Sequence, residues 1–286
     1  MPDVLAGHAP AKINLILEVI ARREDGYHEI DTILQELELA DEVRVTLGDG
    51  QGITIEGRFA SGVPRDNTNL ALRSASLLAE RCGRSAAEVA VHLVKHIPPA
   101  GGLGGGASDA ATVLRLLQGP WGASDEDLLA VANSVGSDEA FFLRGGTARA
   151  QGRGELVQEL SALARHGVVL FVPSATIERK TARMFAALDV QPFDSGGVSE
   201  TFAASKRRPF ASSDIHNAFE RVAFDVFDGL HSLWLDLEER VEDAIRLCGA
   251  GPTLFWIGPS GQAASVAAAA AGARCTVIST ATASRQ

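Results

Sequence analysis

Apolar and other residues alternate over several short stretches of the chain, which is the pattern of a β-strand with one buried face. In residues 11–19 the apolar positions are 13, 15, 17 and 19, and Lys12 and Asn14 fall on the opposite face. Residues 89–93 alternate in the same way and lead directly to Pro98. Both stretches are predicted to be strands.

A second group of alternating stretches surrounds a turn sequence. Residues 43–47 and 53–56 lie on either side of Gly48-Asp49-Gly50, so we predict a β-hairpin at this point. Compact apolar stretches later in the chain predict three more strands, at 167–172, 253–257 and 275–278.

Between these strands lie segments in which apolar positions recur three to four residues apart, which is the spacing of an α-helix. Ser124 and Asp127 have the spacing of a capping box, so a helix should begin there, and Gly136 should end it. Residues 191–213 are rich in Ser, Gly and Pro and are predicted to form a long surface loop. The other predicted helices are 69–81, 110–117, 181–188, 217–227, 235–246 and 263–271.

The order of these elements favours an α+β fold. Strands and helices are interleaved irregularly, and the predicted hairpin does not fit a doubly wound parallel sheet. We place a domain boundary near Ser161, which predicts an N-terminal domain of residues 1–161 and a C-terminal domain of residues 162–286.

Charge narrows the choice of partners. The 286 residues include 26 Lys and Arg against 36 Asp and Glu, which gives a net charge of −10. Such a charge repels nucleic-acid backbones and anionic lipid surfaces, so neither nucleic acid nor a membrane is expected as a partner, and no protein partner is evident. An anionic substrate would need a local binding device that overcomes this field.

Cysteine usage and the N-terminus predict a cytoplasmic protein. Cys82, Cys248 and Cys275 are odd in number and widely spaced, so no disulfide is expected. Residues 1–10 lack the basic and apolar regions of a signal peptide, and no apolar stretch is long enough to span a membrane.

A glycine-rich segment between the strand at 89–93 and the helix at 110–117 is the candidate binding site for an anionic substrate. Five of its positions from Gly101 to Gly106 are glycine, which lets the backbone approach a ligand closely. Backbone N–H groups of such a loop and of the following helix form a cradle for phosphate. The alternative is a flexible linker. The predicted phosphate-binding residues are Pro98, Pro99, Ala100, Gly101, Gly102, Leu103, Gly104, Gly105, Gly106, Ala107 and Ser108.

Comparison with known phosphate-binding motifs limits the type of phosphate site that this segment can form. No glycine is followed by lysine, so the Walker P-loop is absent. Gly102, Gly104 and Ala107 satisfy the dinucleotide fingerprint G-x-G-x-x-A, a weak match in any glycine cluster. The acidic residues about 20 positions further on, Asp125 and Asp127, lie at a predicted helix start rather than at a strand end, which counts against a nicotinamide or flavin enzyme.

Three segments together resemble a known family. Pro98 to Ala110 resembles the second motif of the GHMP small-molecule kinases, P-x-x-x-G-L-G-S-S-A. Residues 10–15 with 23–28, and residues 136–142, are similar to the branch of that family that acts on a cytidylated polyol. The resemblance covers the first 155 residues well and the rest more thinly, through 181–185 and 249–251.

The resemblance implies a fold and a reaction. The fold would be the two-domain GHMP kinase architecture, with an N-terminal domain like the second domain of ribosomal protein S5 and a ferredoxin-like C-terminal domain. The reaction would be ATP-dependent phosphorylation of the 2-hydroxyl of 4-diphosphocytidyl-2-C-methyl-D-erythritol, a small-molecule substrate, in non-mevalonate isoprenoid biosynthesis. ATP would be the phosphoryl donor, with Mg²⁺.

Two residues are candidates for catalysis. Phosphoryl transfer to an alcohol needs an acceptor for the hydroxyl proton, and a carboxylate is the usual one. Asp138, in a short turn before two phenylalanines, is our candidate base, and the resemblance implies the same residue with Lys12 beside it. The alternatives are a helix-cap or turn aspartate at position 138 and a solvated edge-strand lysine at position 12.

The resemblance also implies the binding residues. Asn69, Leu70 and Lys95 would hold the base of ATP, and the predicted substrate-binding residues are Asn14, Tyr27, His28, Thr181 and Phe185. Ser108 could offer its hydroxyl to a phosphate or to Mg²⁺, or serve simply as a helix N-cap.

The chain departs from the family pattern at Ala107, Glu139, Ala140, Ala250 and Pro252. Ala107, Ala250 and Pro252 remove hydroxyl groups, and Glu139 adds a negative charge beside Asp138. Three alternatives therefore stay open: a GHMP kinase for another alcohol of the mevalonate or homoserine type, a nucleotide-binding module without catalysis, and, least favoured, a dinucleotide oxidoreductase.

Overall fold

The computed structural model describes residues 3–48, 52–174, 177–205 and 210–283. The chain forms two compact units. The first comprises Met1–Ala11, Leu39–Pro99 and Gly104–Gly145, and the second comprises Lys12–Glu38, Ala100–Leu103 and Gly146–Gln286. The domain boundary after residue 161 remains a prediction.

Two long neighbouring strands contribute to both units. Strand β1 (Asp3–Arg22) and strand β2 (His28–Leu47) are hydrogen-bonded to each other. Residues 9–19 of β1 are buried without interruption, which differs from the one-sided burial that the alternating pattern predicts. The polar face of β1, with Lys12 and Asn14, is therefore inside the protein.

The first unit continues with strands β3 (Gly52–Glu56) and β4 (Val89–Val94). The predicted hairpin is wrong, because β4 pairs antiparallel with residues 42–47 of β2 and parallel with β3, and so lies between them. A helix separates β3 from β4 in sequence, which gives the connection length that a parallel pair requires. Residues 49 and 50 of the predicted turn lie outside the described residues.

Four helices complete the first unit: α1 (Leu70–Arg81), α2 (Gly105–Trp121), α3 (Asp125–Val135) and α4 (Glu139–Arg144). Their apolar faces pack with β4 into one core that includes Leu78, Val91, Leu114 and Val131. The capping box of Ser124 and Asp127 at the start of α3 is confirmed, and Gly136 ends that helix as predicted.

The second unit holds the remaining strands: β5 (Thr147–Gly152), β6 (Leu156–Glu159), β7 (His166–Pro173), β8 (His216–Asn217), β9 (Arg246–Leu247), β10 (Leu254–Pro259) and β11 (Cys275–Ala281). Residues 30–35 of β2 pair with β5, which pairs with β6, and β8 runs parallel to β1 at Ile16. A separate antiparallel sheet has the order β11-β7-β10-β9.

Its helices are α5 (Lys180–Leu188), α6 (Val198–Ala204), α7 (Ala223–Val226), α8 (Leu230–Val241) and α9 (Ala263–Ala269). Residues of α5, α7, α8 and α9 share a core with the antiparallel sheet, and this core includes Phe171, Leu237, Leu247 and Trp256. Among the residues described in the whole chain, no helix combines the length and the hydropathy needed to cross a bilayer.

Three predictions for the second unit are corrected. The predicted loop at 191–213 contains helix α6, and its residues 206–209 lie outside the described residues. The predicted helix at 217–227 is instead the end of β8, a 3₁₀ turn and the one-turn helix α7. The predicted helix at 235–246 both begins and ends earlier, since α8 follows its N-cap Gly229, with a φ of +77°, and ends at Val241, while Arg246 belongs to β9.

Candidate active site

Lys12 is held inside the second unit by a chain of polar side chains. Its Nζ donates to Asn14 Oδ1 at 2.8 Å, Asn14 Nδ2 donates to Thr32 Oγ1 at 2.8 Å, and Thr32 donates to the Ile16 carbonyl at 2.6 Å. Lys12 is 4% exposed, so the solvated edge-strand alternative is wrong. A buried amine with a fixed position can act on a specific atom of a ligand.

The C-terminal glycine segment, residues 249–251, lies against this amine. A Cβ added to Gly249 would be 3.3 Å from Lys12 Nζ and 3.1 Å from Asn14 Oδ1. Asn217 Nδ2 holds the segment by donating to the carbonyls of Leu247 and Gly249, at 2.9 and 2.8 Å. The segment that resembles the family only thinly in sequence is therefore part of the surroundings of Lys12.

Part of the glycine-rich segment belongs to the same surroundings. The backbone amide of Lys12 donates to the Leu103 carbonyl at 2.9 Å. Gly102 has a φ of +87°, and a Cβ at this position would overlap the Cys248 carbonyl oxygen. Only glycine fits at position 102, because both the left-handed backbone and the close approach exclude a side chain.

The rest of the glycine-rich segment, in the first unit, forms the N-terminus of α2. The helix begins at Gly105, five residues before the predicted start at 110, and Gly104 is its N-cap with a φ of +73°. The amides of the first turn of a helix have no partners within the helix and carry a partial positive charge, which attracts phosphate. The N-cap interpretation of Ser108 is wrong, because Gly104 occupies that position and the Ser108 amide already donates to its carbonyl.

Ser108 lies in the first turn of α2. The residue is fully buried, and its Oγ has no hydrogen-bond partner within the described parts of the chain. A buried hydroxyl without a partner is unfavourable, and a phosphate oxygen or a metal ion would satisfy it. Leu70 lies next to this helix start, since its Cδ1 would be 3.5 Å from a Cβ on Gly106.

Lys95 forms a buried ionic cluster with Asp41 and Asp109. Its amine binds one oxygen of each carboxylate, and Asp41 Oδ1 also accepts from the amide of Ile97 at 2.8 Å. The cluster joins β2, the segment after β4 and helix α2, and thereby fixes the start of the glycine-rich segment.

Burial and the neighbouring charges have opposite effects on the pKa values of Asp109 and Lys95. Burial raises the pKa of Asp109, although the neighbouring Lys95 amine partly offsets this effect. Burial alone would lower the pKa of the Lys95 amine, but the carboxylates of Asp109 and Asp41 more than offset it, and the pKa is raised. The amine is therefore charged and paired with the two carboxylates.

The start of α1 is fixed by Asn69. Its Oδ1 accepts from the Ala71 amide at 2.9 Å and its Nδ2 donates to the Pro64 carbonyl at 2.8 Å, so Asn69 is the N-cap of α1. Asn69, Leu70 and Lys95, which we predict to hold the base of ATP, are all in the first unit with α2.

Asp138 lies in the turn between α3 and α4, also in the first unit. It is half-buried and occupies the N-cap position of α4, although its side chain makes no capping hydrogen bond to that helix. Phe141 and Phe142 are fully buried and anchor α4. Burial raises the pKa of the adjacent Glu139 to about 7.

Aromatic residues of the second unit form a candidate site for a nucleobase. The His28 ring stacks on the Phe185 ring, with 4.2 Å between centroids and 14° between planes, and His28 Nε2 lies 2.6 Å from Asp189 Oδ1. Tyr27 is 52% exposed, and the guanidinium carbon of Arg153 lies 4.8 Å from the centroid of its ring. Thr181 is exposed near the start of α5.

Sequence reasoning missed Asp41, Asp189 and Arg153. Asp41 and Asp189 act through partners far along the chain, Lys95 and His28, so spacing gives no signal for them. Asp109 directly follows the glycine motif and could have been found there. Within the described residues, no group of three or more His, Cys, Asp or Glu side chains is arranged to hold a metal ion.

Known proteins are similar to this chain in sequence and in fold. The profile of the GHMP kinases N terminal domain matches residues 69–146. A 4-diphosphocytidyl-2-C-methyl-D-erythritol kinase of Dehalococcoides mccartyi (strain BAV1) is 38% identical over 251 residues, which cover 86% of this chain and 87% of that protein. The protein of the same name from Bacillus subtilis (strain 168) is 36% identical over 253 residues, covering 86% of each chain.

A solved structure agrees with these relatives. The crystal structure of a 4-(cytidine 5'-diphospho)-2C-methyl-D-erythritol kinase matches with a TM-score of 0.74 and 32% identity, covering 98% of this chain and 100% of that one. The match confirms the predicted α+β fold of the GHMP kinases. The chain therefore belongs to the GHMP kinase family, in the group of 4-diphosphocytidyl-2-C-methyl-D-erythritol kinases.

Proposed function

We propose that the chain is an ATP-dependent kinase that phosphorylates the 2-hydroxyl of 4-diphosphocytidyl-2-C-methyl-D-erythritol, giving the 2-phosphate and ADP, in non-mevalonate isoprenoid biosynthesis. The observation that carries the proposal is the N-terminus of α2, where first-turn amides and the buried, unpartnered Ser108 hydroxyl are ready for a phosphate. Such a local phosphate-binding site would overcome the repulsion between an anionic substrate and a protein with a net charge of −10.

The proposed reaction is a direct transfer without a covalent enzyme intermediate. The α2 amides and Ser108 bind the phosphates of ATP, and the 2-hydroxyl attacks the γ-phosphorus in line. Asp138 accepts the proton of that hydroxyl, and ADP leaves. Because phosphoryl transfer offers little covalent chemistry to the protein, positioning and charge stabilisation account for most of the rate.

Lys12 stabilises negative charge in this scheme. Its ammonium group, oriented by Asn14 and Thr32, stabilises the charge that develops on the attacking and transferred oxygens. The segment at 249–251 packs against the amine and keeps water away from it. Lys12 belongs to the second unit and Asp138 to the first, so their pairing is part of the proposal.

Mg²⁺ fits the residues present. It binds few protein oxygens and takes the rest of its ligands from phosphates and water, which agrees with the unpartnered hydroxyl of Ser108. When bound with ATP, the ion would neutralise part of the phosphate charge.

The nucleoside end of each substrate has its own group of residues. We propose that Tyr27, Phe185 and His28 hold the cytosine by stacking and hydrogen bonding, with Asn14 and Thr181 toward the polyol. Asn69 and Leu70 lie at the start of α1 and are proposed to contact the base of ATP. Lys95 acts there by positioning, because Asp41 and Asp109 already bind its amine.

The test is the choice of acceptor. We expect ADP release from Mg-ATP to depend on 4-diphosphocytidyl-2-C-methyl-D-erythritol, and mevalonate and homoserine to support no release above background. ³¹P NMR of the product should place the new phosphate on the 2-oxygen. Release with mevalonate or homoserine instead would favour another GHMP kinase activity, and ATP binding without release would favour a non-catalytic module.

We also propose a location and a domain organisation for the chain. The acidic composition and the cysteine usage favour a cytoplasmic enzyme without nucleic-acid, membrane or protein partners. We propose domains of 1–161 and 162–286 from the change in element pattern near Ser161, with the C-terminal domain depending on residues 12–38 to fold.

A further inference from the structure

Glu139 follows the candidate base directly, and its carboxyl group is buried. The residue is 1% exposed, and its Oε2 has no hydrogen-bond partner within the described part of the chain. A Cβ added to Gly136 would lie only 2.7 Å from Glu139 Oε1. The carboxyl therefore fills the space against Gly136, under the turn that carries Asp138.

The position of Glu139 couples it to that turn. Helix α4 begins at Glu139 and is anchored by Phe141 and Phe142, whose ring centroids are 5.1 Å apart. The Glu139 carboxyl lies between this fixed helix and the backbone at Gly136. If the carboxyl changes its size or its charge, residues 136–138 must move to accommodate it, because the buried phenylalanines hold α4 in place.

Few charges face this carboxyl. Burial raises the pKa of Glu139 to about 7 and Asp138 adds to that effect, while the amides of Glu139 and Asp138 and the more distant Arg73 lower it. Helices α2 and α3 pack against α4, and Asp109 on α2 is paired with Lys95 while Asp127 on α3 is paired with Arg81. The other ionisable residues of these two helices are Arg115, Asp125 and Glu126.

We propose that Glu139 is a positioning residue for Asp138 that works in its protonated form. The neutral carboxyl fits under the turn, whereas the ionised carboxylate would be a buried anion with an unpartnered oxygen beside a second negative charge. Relief of that cost requires the carboxylate to move, and the turn with Asp138 moves with it. The proposal rests on the proposed function, because Asp138 is the base only in that reaction.

The first test is the pH dependence of phosphoryl transfer in the wild type and in Glu139→Gln. Glutamine keeps the size of the side chain and cannot ionise. We expect the wild-type kcat to fall about tenfold per pH unit above the Glu139 transition, while the affinity for Mg-ATP stays constant. In Glu139→Gln this alkaline fall should be absent. The same fall in both proteins would overturn the proposal.

A second test does not depend on activity. Because the folded state binds the Glu139 proton more tightly than the unfolded chain does, stability from this group is present below pH 4.5 and is lost as the pH rises through about 7. The urea midpoint of the wild type should therefore fall, relative to that of Glu139→Gln, between pH 5 and pH 8. Parallel midpoints would overturn the buried protonated state itself.

The two tests separate two kinds of failure. If the wild type transfers no phosphate at any pH while the midpoints diverge as described, the proposed function fails and the state of Glu139 stands. If transfer occurs and both pH profiles coincide, the positioning role of Glu139 fails alone. Glu139→Val, which also removes the ionisable group, repeats the kinetic test should the glutamine variant fold poorly.

Discussion

At the scale of single residues, the site depends on polar groups that the protein places out of water. Lys12 and Asn14 are buried in β1, and Ser108 is buried in α2. Lys12 and Asn14 satisfy each other, whereas the Ser108 hydroxyl has no partner in the described structure. A buried hydroxyl without a partner favours ligand binding, because a hydrogen bond to the ligand removes the free-energy cost of leaving the hydroxyl unsatisfied in the free protein.

Replacing Ser108 by alanine should separate binding from stability. The ligand-free protein loses no hydrogen bond, so its free energy of unfolding should stay the same or rise by up to about 1 kcal/mol. The affinity for Mg-ATP should fall about tenfold, because one hydrogen bond to the ligand is lost. Urea unfolding and calorimetric titration measure the two effects.

Ser74→Ala is the matched control for this variant. Ser74 on α1 is also fully buried, and its hydroxyl is also without a partner within the described residues. It should show the same stability change with no loss of ATP affinity. An equal loss of affinity in both variants would contradict the role assigned to Ser108.

At the scale of elements, the site depends on how the glycine-rich segment is fixed at its start and in its middle. The cluster of Lys95, Asp41 and Asp109 fixes the segment near β4, and the close packing of Gly102 on Cys248 fixes its middle. The amides of α2 need this fixed entry, because a helix start binds phosphate only when its first turn points at the ligand.

Gly102→Ala should destabilise the protein by at least about 2 kcal/mol, since it adds both backbone strain and an overlap with the Cys248 carbonyl. Gly119→Ala, inside α2 with open space around the added Cβ, is the control and should be neutral or stabilising by about 0.5–1 kcal/mol. Chemical denaturation compares them. Equal stabilities would show that residue 102 is not confined.

Removal of the charge at Asp41 should lower the free energy of unfolding more than removal of the charge at Asp109. Asp41 accepts from backbone amides as well as from Lys95, and Asp41→Asn should lower the free energy of unfolding by about 3–5 kcal/mol. Asp109→Asn should cost less, because burial already raises the pKa of that carboxyl and makes its ionised form unfavourable. Urea unfolding at pH 7 tests the order, and a larger loss in Asp109→Asn would contradict it.

The sequence predicts most elements and fails where long-range contacts decide. Periodicity finds β4, β7, α1 and α5, and the capping box finds the start of α3. The predicted hairpin fails because β4 inserts between β2 and β3, which no local pattern reveals. Motifs give Lys12, Ser108 and Asp138 as candidates, whereas the pairing of Asp41 with Lys95 and of Asp189 with His28 is visible only when distant segments meet.

At the scale of the whole molecule, each of the two units is built from three separate segments of the chain. The second unit takes residues 12–38 from the start of the chain, and Leu17 and Val19 of β1 belong to its core. Its β8 also pairs with β1, and its β5 pairs with β2. The C-terminal half of the sequence is therefore incomplete as a folding unit.

A fragment of residues 162–286 should accordingly fail to fold alone. It lacks β5 and β6 as well as the parts of β1 and β2 that belong to the second unit. Circular dichroism and urea unfolding should show no cooperative transition for the fragment, and a single one for the full chain. A cooperative transition in the fragment would support an independent domain after residue 161.

The central claim is that this chain transfers the γ-phosphoryl group of ATP with Asp138 as the base. The measurement that tests it most directly is ADP release with 4-diphosphocytidyl-2-C-methyl-D-erythritol by the wild type and by Asp138→Asn. The account predicts release by the wild type and a rate lower by about 10²–10⁴-fold in the variant, with ATP affinity and thermal stability nearly unchanged. A variant that keeps more than about a third of the wild-type rate would contradict the assignment, since loss of a general base has a much larger effect.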